Sequence, residues 1–202
     1  MHERNDVRAG SVGLAAVELV GILVAAAAVA AAGCGPRTYQ GSAPWSPSGG
    51  APLERDDVKD LPPGGASGTG YSGTYVVVAA SRDGCACRSG DPELVCGGGV
   101  EEGAFLAAVQ VNGAFTLVAG DPLEGGIDAD GTFLVGGVGD VWNQATGERI
   151  GETYTLVEGA VSWSGTAPEA LDASWETRAQ FYYAGTAYDC DLFLSLHALY
   201  DF

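Results

Sequence analysis

LDASWETRAQFYY at 171–183, AGT at 184–186 and AYDCDLFLSLHALY at 187–200 decide the fold of this 202-residue chain. In the first run Leu171, Ala173, Trp175, Ala179, Phe181 and Tyr183 alternate with Asp172, Ser174, Glu176, Arg178 and Gln180. A period of two sends one set into a core and the other toward water, which is the pattern of a half-buried strand. In the last run Tyr188, Cys190, Leu192, Leu194, Leu196, Ala198 and Tyr200 take one face, while Asp189, Asp191, Ser195 and His197 take the other. With the glycine-bearing turn between them, the two runs form a long antiparallel hairpin.

The same logic extends upstream. Strands are expected at 105–111 and 114–119, joined by Asn112-Gly113, a pair that tolerates positive φ and suits a type I′ turn. Strands at 123–128 and 132–138 flank Ala129-Asp130-Gly131, and further ones are expected at 74–81, 153–157 and 160–164. The nearest helical pattern, at 101–110, is argued against by Gly103 and the turn after it. Eight or nine antiparallel strands with short connections predict an all-β fold, an antiparallel up-and-down β-barrel of about eight strands, with a two-sheet β-sandwich as the alternative. Sequential hairpins favour the barrel. Gly125-Gly126 and Gly136-Gly137, inside strand patterns, are expected to be bulges or sharp bends. The segment 125–133, Gly-Gly-Ile-Asp-Ala-Asp-Gly-Thr-Phe, resembles hairpins of lipocalin-like and calycin-like barrels.

The N-terminus carries a different signal. Apolar residues run from Leu19 to Gly33, after Arg4 and Arg8, and end in Ala31-Ala32-Gly33-Cys34. A cleaved secretory leader has this order of parts, and the stretch is shorter than the roughly 20 residues of a membrane-spanning helix. Ala31-Ala32-Gly33-Cys34 resembles the lipobox of bacterial lipoproteins. That resemblance implies cleavage before Cys34, diacylglycerol on its sulfur and acylation of the new amino end. Two or three acyl chains hold a protein durably at a membrane. The expected organisation is therefore a lipoprotein signal peptide at 1–33, a lipidated cysteine and Gly/Pro/Ser-rich disordered tether at 34–70, and an antiparallel β domain at 71–202. The expected location is the cell envelope, at the outer membrane.

Dropping residues 1–33 removes Arg4, Arg8, Glu3, Asp6 and Glu18, which leaves 7 basic and 23 acidic side chains, net −16. A field of that sign repels polyanions, and Lys59 is the only lysine, so nucleic acid is excluded as a partner. With Cys34 set apart, Cys85, Cys87, Cys96 and Cys190 remain, an even number that points to two disulfides outside the cytoplasm. Cys85 with Cys87 closes too tight a ring. One of these two is expected to pair with Cys96 and the other with Cys190. A four-cysteine zinc site is the alternative, but Cys-Ala-Cys lacks the usual gap of two residues and a second close pair.

Signatures of catalysis are missing from the sequence. Asp128-Ala129-Asp130-Gly131 opens like a calcium loop, but position twelve, which needs glutamate, is Gly139. His197 is the single histidine beyond the leader and alternates onto the polar face with Ser195. Gly97-Gly98-Gly99 lacks the Gly-Lys-Ser/Thr ending of a phosphate loop, and Glu101-Glu102, Glu152 and Glu158 are carboxylates in a chain rich in them. Phe133, Trp163, Trp175, Phe181 and Tyr183 are candidates for a ligand pocket or for core. The function expected is that of a membrane-tethered, non-enzymatic envelope protein that binds through loops or sheet edges, with no cofactor or metal. The alternative is a lipocalin-like carrier of a small apolar ligand, and a remote one is a hydrolase. Expected partners are the membrane, through the N-terminal lipid, and an envelope protein or small apolar ligand.

Overall fold

The computed structural model describes residues 52–96 and 98–201. The leader, Cys34 and the tether up to residue 51 lie outside the described residues. Eight strands follow in order: β1 (Gly73–Ser89), β2 (Phe105–Val111), β3 (Ala114–Val118), β4 (Pro122–Ile127), β5 (Thr132–Asn143), β6 (Glu148–Ser164), β7 (Ala167–Tyr183) and β8 (Thr186–Asp201). Each pairs antiparallel with its sequence neighbours, and β8 returns to β1, so the sheet closes as an up-and-down barrel. The C-terminal hairpin forms in the expected register, Tyr183 opposite Thr186, with Ala184 and Gly185 both at positive φ (49° and 83°). A two-residue turn with both central residues in that region matches the right-handed twist of its strands. The expected strands at 153–157 and 160–164 are one continuous strand, β6, which fixes the count at eight.

Period-two patterning fills the interior. Tyr75, Val77, Leu106, Phe115, Leu117, Ile127, Val135, Val157, Leu171, Leu192 and Ala198 are all nearly inaccessible and form one cluster. Gln110 also faces inward. Its side chain accepts the Tyr71 N–H at 2.9 Å and donates to the Asn112 carbonyl at 2.8 Å, so the buried amide is satisfied. These bonds hold 67–72 across the end of the barrel where the turns after β2, β4 and β6 lie. Tyr71 donates its hydroxyl to the Ala129 carbonyl and packs edge-on against Trp163, which closes that end.

Two expectations need correction. Residues 52–70 are not a free tether. Leu53 and Val58 are buried on the outside of the barrel with Leu156, Gly64 N–H donates to the Gly113 carbonyl at 2.8 Å, and Ala66 N–H donates to the Ile127 carbonyl at 3.1 Å. A segment rich in Gly and Pro cannot build a core of its own, but here it borrows one from the sheet. Nor are Gly125-Gly126 and Gly136-Gly137 bulges, since register is continuous through both. They allow close approach instead. A Cβ on Gly126 would lie 2.5 Å from the Pro62 carbonyl oxygen, and one on Gly136 would lie 2.9 Å from that of Val58. The register shifts fall elsewhere, three of them in β1, at 77/79, 82/84 and 87/89.

Candidate interaction surface

At the end opposite Tyr71, β1 and β5–β8 run on past the short strands β2–β4, which leaves a gap in the wall. Pairing of β1 with β2 stops at Val76 opposite Phe105. The connection between them covers the gap from the inside. It carries a short helix, α1 (Pro92–Cys96), whose Val95 is buried among Val141, Ala179, Phe181 and Cys190. Two disulfides anchor it: Cys85–Cys96 ties α1 to β1, and Cys87–Cys190 joins β1 to β8 at directly paired positions. Both bonds satisfy the sequence expectation and select between its alternatives, and they remove the zinc reading. Among the described residues no group of three His, Cys, Asp or Glu side chains is placed to hold a metal.

Beside this clamp lies an open groove of about 480 Å³, lined by Ala80, Arg82, Gly98, Val100, Glu101 and Leu194. Its walls mix charge with apolar surface, unlike the mainly apolar cavity of a carrier. The five aromatic residues considered for a pocket are dispersed rather than gathered. Phe133 and Trp175 are packed into the main core, and Trp175 Nε1–H donates to Thr177 Oγ1. Phe181 stacks on Tyr188, with ring centroids 4.6 Å apart, in the cluster under α1. Trp163 and Tyr183 are partly exposed at opposite ends of the barrel.

The outer face of β5–β8 is a network of ion pairs. Arg178 binds Asp189 with two hydrogen bonds, 2.8 and 3.0 Å, and donates a third to the Leu53 carbonyl, pinning the start of the 52–70 segment. Arg88 pairs with Asp189 and Asp191, Arg149 with Asp140 and Glu152, and Arg55 with Glu152. The Arg178 hydrogen bonds hold the Asp189 carboxyl below the usual carboxylate range. A depressed folded-state pKa means that the pair stabilises fully above the unfolded value, near 4, and loses its effect as pH falls through the folded one. Urea unfolding of Asp189→Asn should therefore show lower stability than the parent at pH 7 and a gap that closes as pH falls below the ordinary carboxylate range; a gap independent of pH would contradict the assignment.

His197 Nδ1 lies 2.7 Å from Asp172 Oδ1, with both side chains exposed on the outside of the sheet. The nearby Ser195 hydroxyl donates to Asp83 instead. A hydrolytic triad needs a hydroxyl on the far side of the imidazole, in a shielded site. The pair is a surface contact, in keeping with the polar face assigned to His197.

A different outer face stands out. On β2 the outward residues are Phe105, Ala107, Val109 and Val111, and all are exposed. Register places Val76 of β1 beside Phe105, Leu199 of β8 beside Val76, and Thr116 and Val118 of β3 beside Val109 and Ala107. No charged residue interrupts this surface. Sequence reasoning missed it, although FLAAVQV at 105–111 is apolar on both alternating sets, and its one polar residue, Gln110, is the inward one. The 52–70 segment covers the outsides of β4–β7 and leaves this face open. No protein-family model, no curated protein and no solved structure matches the chain.

Proposed function

We propose that the chain is an envelope lipoprotein whose barrel acts by binding a partner on its outer surface. On this reading residues 1–33 are removed, Cys34 carries the lipid, and the residues from 35 to 51 link the lipid to the docked segment. The observation that carries the binding reading is a contrast between inside and outside. Inward side chains from all eight strands gather into one buried hydrophobic cluster, and uncharged apolar side chains on β1–β3 stand in water. An exposed contiguous apolar face on a charged protein marks an interaction site.

Cell fractionation and intact mass test the proposal together. The parent chain should sediment with membranes at a mass that reports loss of 1–33, added acyl chains and two disulfides, and Cys34→Ser should move the protein to the soluble fraction. An unprocessed full-length mass would remove the anchor from the proposal. Native mass spectrometry of the purified protein separates binder from carrier, since a small apolar ligand retained at one equivalent would support the carrier.

A further inference from the structure

We propose that the outer face of β1–β3 docks a protein partner presenting apolar side chains flanked by lysine or arginine. The inference rests on the surface-binding reading above and names the surface and the chemistry that fits it. Phe105 is 63% exposed, Val111 61%, Val109 52%, Val78 44% and Leu199 42%. On β2 the alternate residues Leu106 and Ala108 are buried, so Phe105, Val109 and Val111 are not side chains the core had no room for. They are neighbours on one face, where apolar residues scattered singly would need no explanation and a contiguous group does.

Charge around the patch selects the occupant. Its rim carries Glu101 and Glu102 in the turn before Phe105, where the Gly103 N–H donates to the Val77 carbonyl, Asp201 opposite Thr74, and Glu124 opposite Thr116. Among the described residues none of these acids forms an ion pair. Of the described arginines, Arg55, Arg88, Arg149 and Arg178 are paired with acids on the β5–β8 side, and Arg82 reaches toward the Gly98 carbonyl in the groove that Glu101 and Glu102 also line. The face is thus an apolar centre with acids at its rim that form no ion pair among the described residues, although Glu101 and Glu102 share the neighbouring groove with Arg82. A second copy would bring glutamate against glutamate, and an anionic lipid surface would meet the same repulsion. A basic rim on the partner would be attracted, and complementary rims speed encounter and fix orientation while the apolar centre supplies affinity.

The experiment uses the chain isolated from cells expressing the Cys34→Ser form and a synthetic peptide alternating valine and phenylalanine with lysine. A lysine-only peptide and a serine-for-lysine peptide serve as controls. The mixed peptide should bind with amide shift changes in 74–78, 105–118 and 199, and more weakly as salt rises from about 0.05 to about 0.5 M. Phe105→Ser with Val109→Ser should weaken it at least tenfold; both sites are exposed, and an unchanged near-ultraviolet spectrum would verify the fold. Glu101→Gln, Glu102→Gln and Glu124→Gln together should weaken it several-fold and flatten the salt dependence. Equal binding by the lysine-only peptide, or shifts elsewhere on the barrel, would overturn the proposal. So would a dimer in light scattering that Phe105→Ser dissolves, or flotation with phosphatidylcholine vesicles that the same variant abolishes. None of these outcomes depends on whether Cys34 is acylated, so failure here and failure of the anchor are separable.

Discussion

Replacing Cys87 and Cys190 together by alanine should lower the free energy of unfolding by about 4 to 5 kcal/mol, because the bond closes a loop of about 100 residues in the unfolded chain. The two cysteines are 103 residues apart in sequence, and they join the first strand to the last. The β1–β8 seam is the contact that turns an open sheet into a barrel, and it is the pairing with the highest entropy of closure. In the oxidised protein that closure is already made before folding begins. The Cys85–Cys96 bond spans only 11 residues, so Cys85→Ala with Cys96→Ala should cost about 3 kcal/mol or less. Removing both partners of each bond leaves no stray thiol, and Cys190 is fully buried, so its replacement adds a small packing loss in the same direction. Urea unfolding of the two double variants gives the order directly. For a domain whose total stability is about 5 to 15 kcal/mol, loss of the longer bond brings the barrel close to unfolding. Equal costs, or a larger cost for the short loop, would show that the loop-entropy account fails here.

The strands were legible wherever one face met the core and the other met water. β8 alternates from Cys190 to Ala198 except at Phe193, which is buried at an outward position, and the 105–111 strand has its expected bounds. Legibility failed where a second layer covers the outside. Glu176 alternates onto the polar face of β7, yet it is 2% exposed, opposite Leu156, which packs under Leu53. Nothing in the period of β7 reports what another segment lays over it. The 52–70 segment itself reads as tether because it is poor in apolar residues, yet the few it has, Leu53, Val58, Leu61 and Ala66, all pack against the barrel. The strand glycines read as bulges or sharp bends, since a glycine that makes a bulge and one that admits a neighbouring backbone look alike in sequence. The apolar face of β2 was hidden by the opposite error: a strand apolar on both sides reads as buried, and here one side is open.

Gly126→Ala tests whether the 52–70 segment is part of the fold. The added Cβ would stand 2.4 Å from Gly64 N and 2.5 Å from the Pro62 carbonyl oxygen. Both are backbone atoms and cannot rotate aside, so the segment must lift. Lifting breaks the Gly64 to Gly113 hydrogen bond and returns Leu53 and Val58, at 0% and 2% exposure, to water. Each such side chain contributes about 1.5 to 3 kcal/mol by burial, and part of that is regained as the freed chain recovers its entropy. A net loss of about 3 kcal/mol is expected. The sign is informative because a strand glycine replaced by alanine without a clash should gain about 0.4 to 1 kcal/mol through the unfolded state. Gly65→Ala is the matched control: its Cβ meets only the tip of the Asp128 side chain, at 3.3 Å. Limited trypsin digestion reads the same event locally, since Arg55 and Lys59 both lie in the segment. Gly126→Ala should be cut there much faster than the parent, at least tenfold, while Gly65→Ala should stay near the parent rate. If Gly126→Ala is neutral or stabilising and cleavage is unchanged, the segment does not rest on β4, and the glycines of the barrel wall require another explanation.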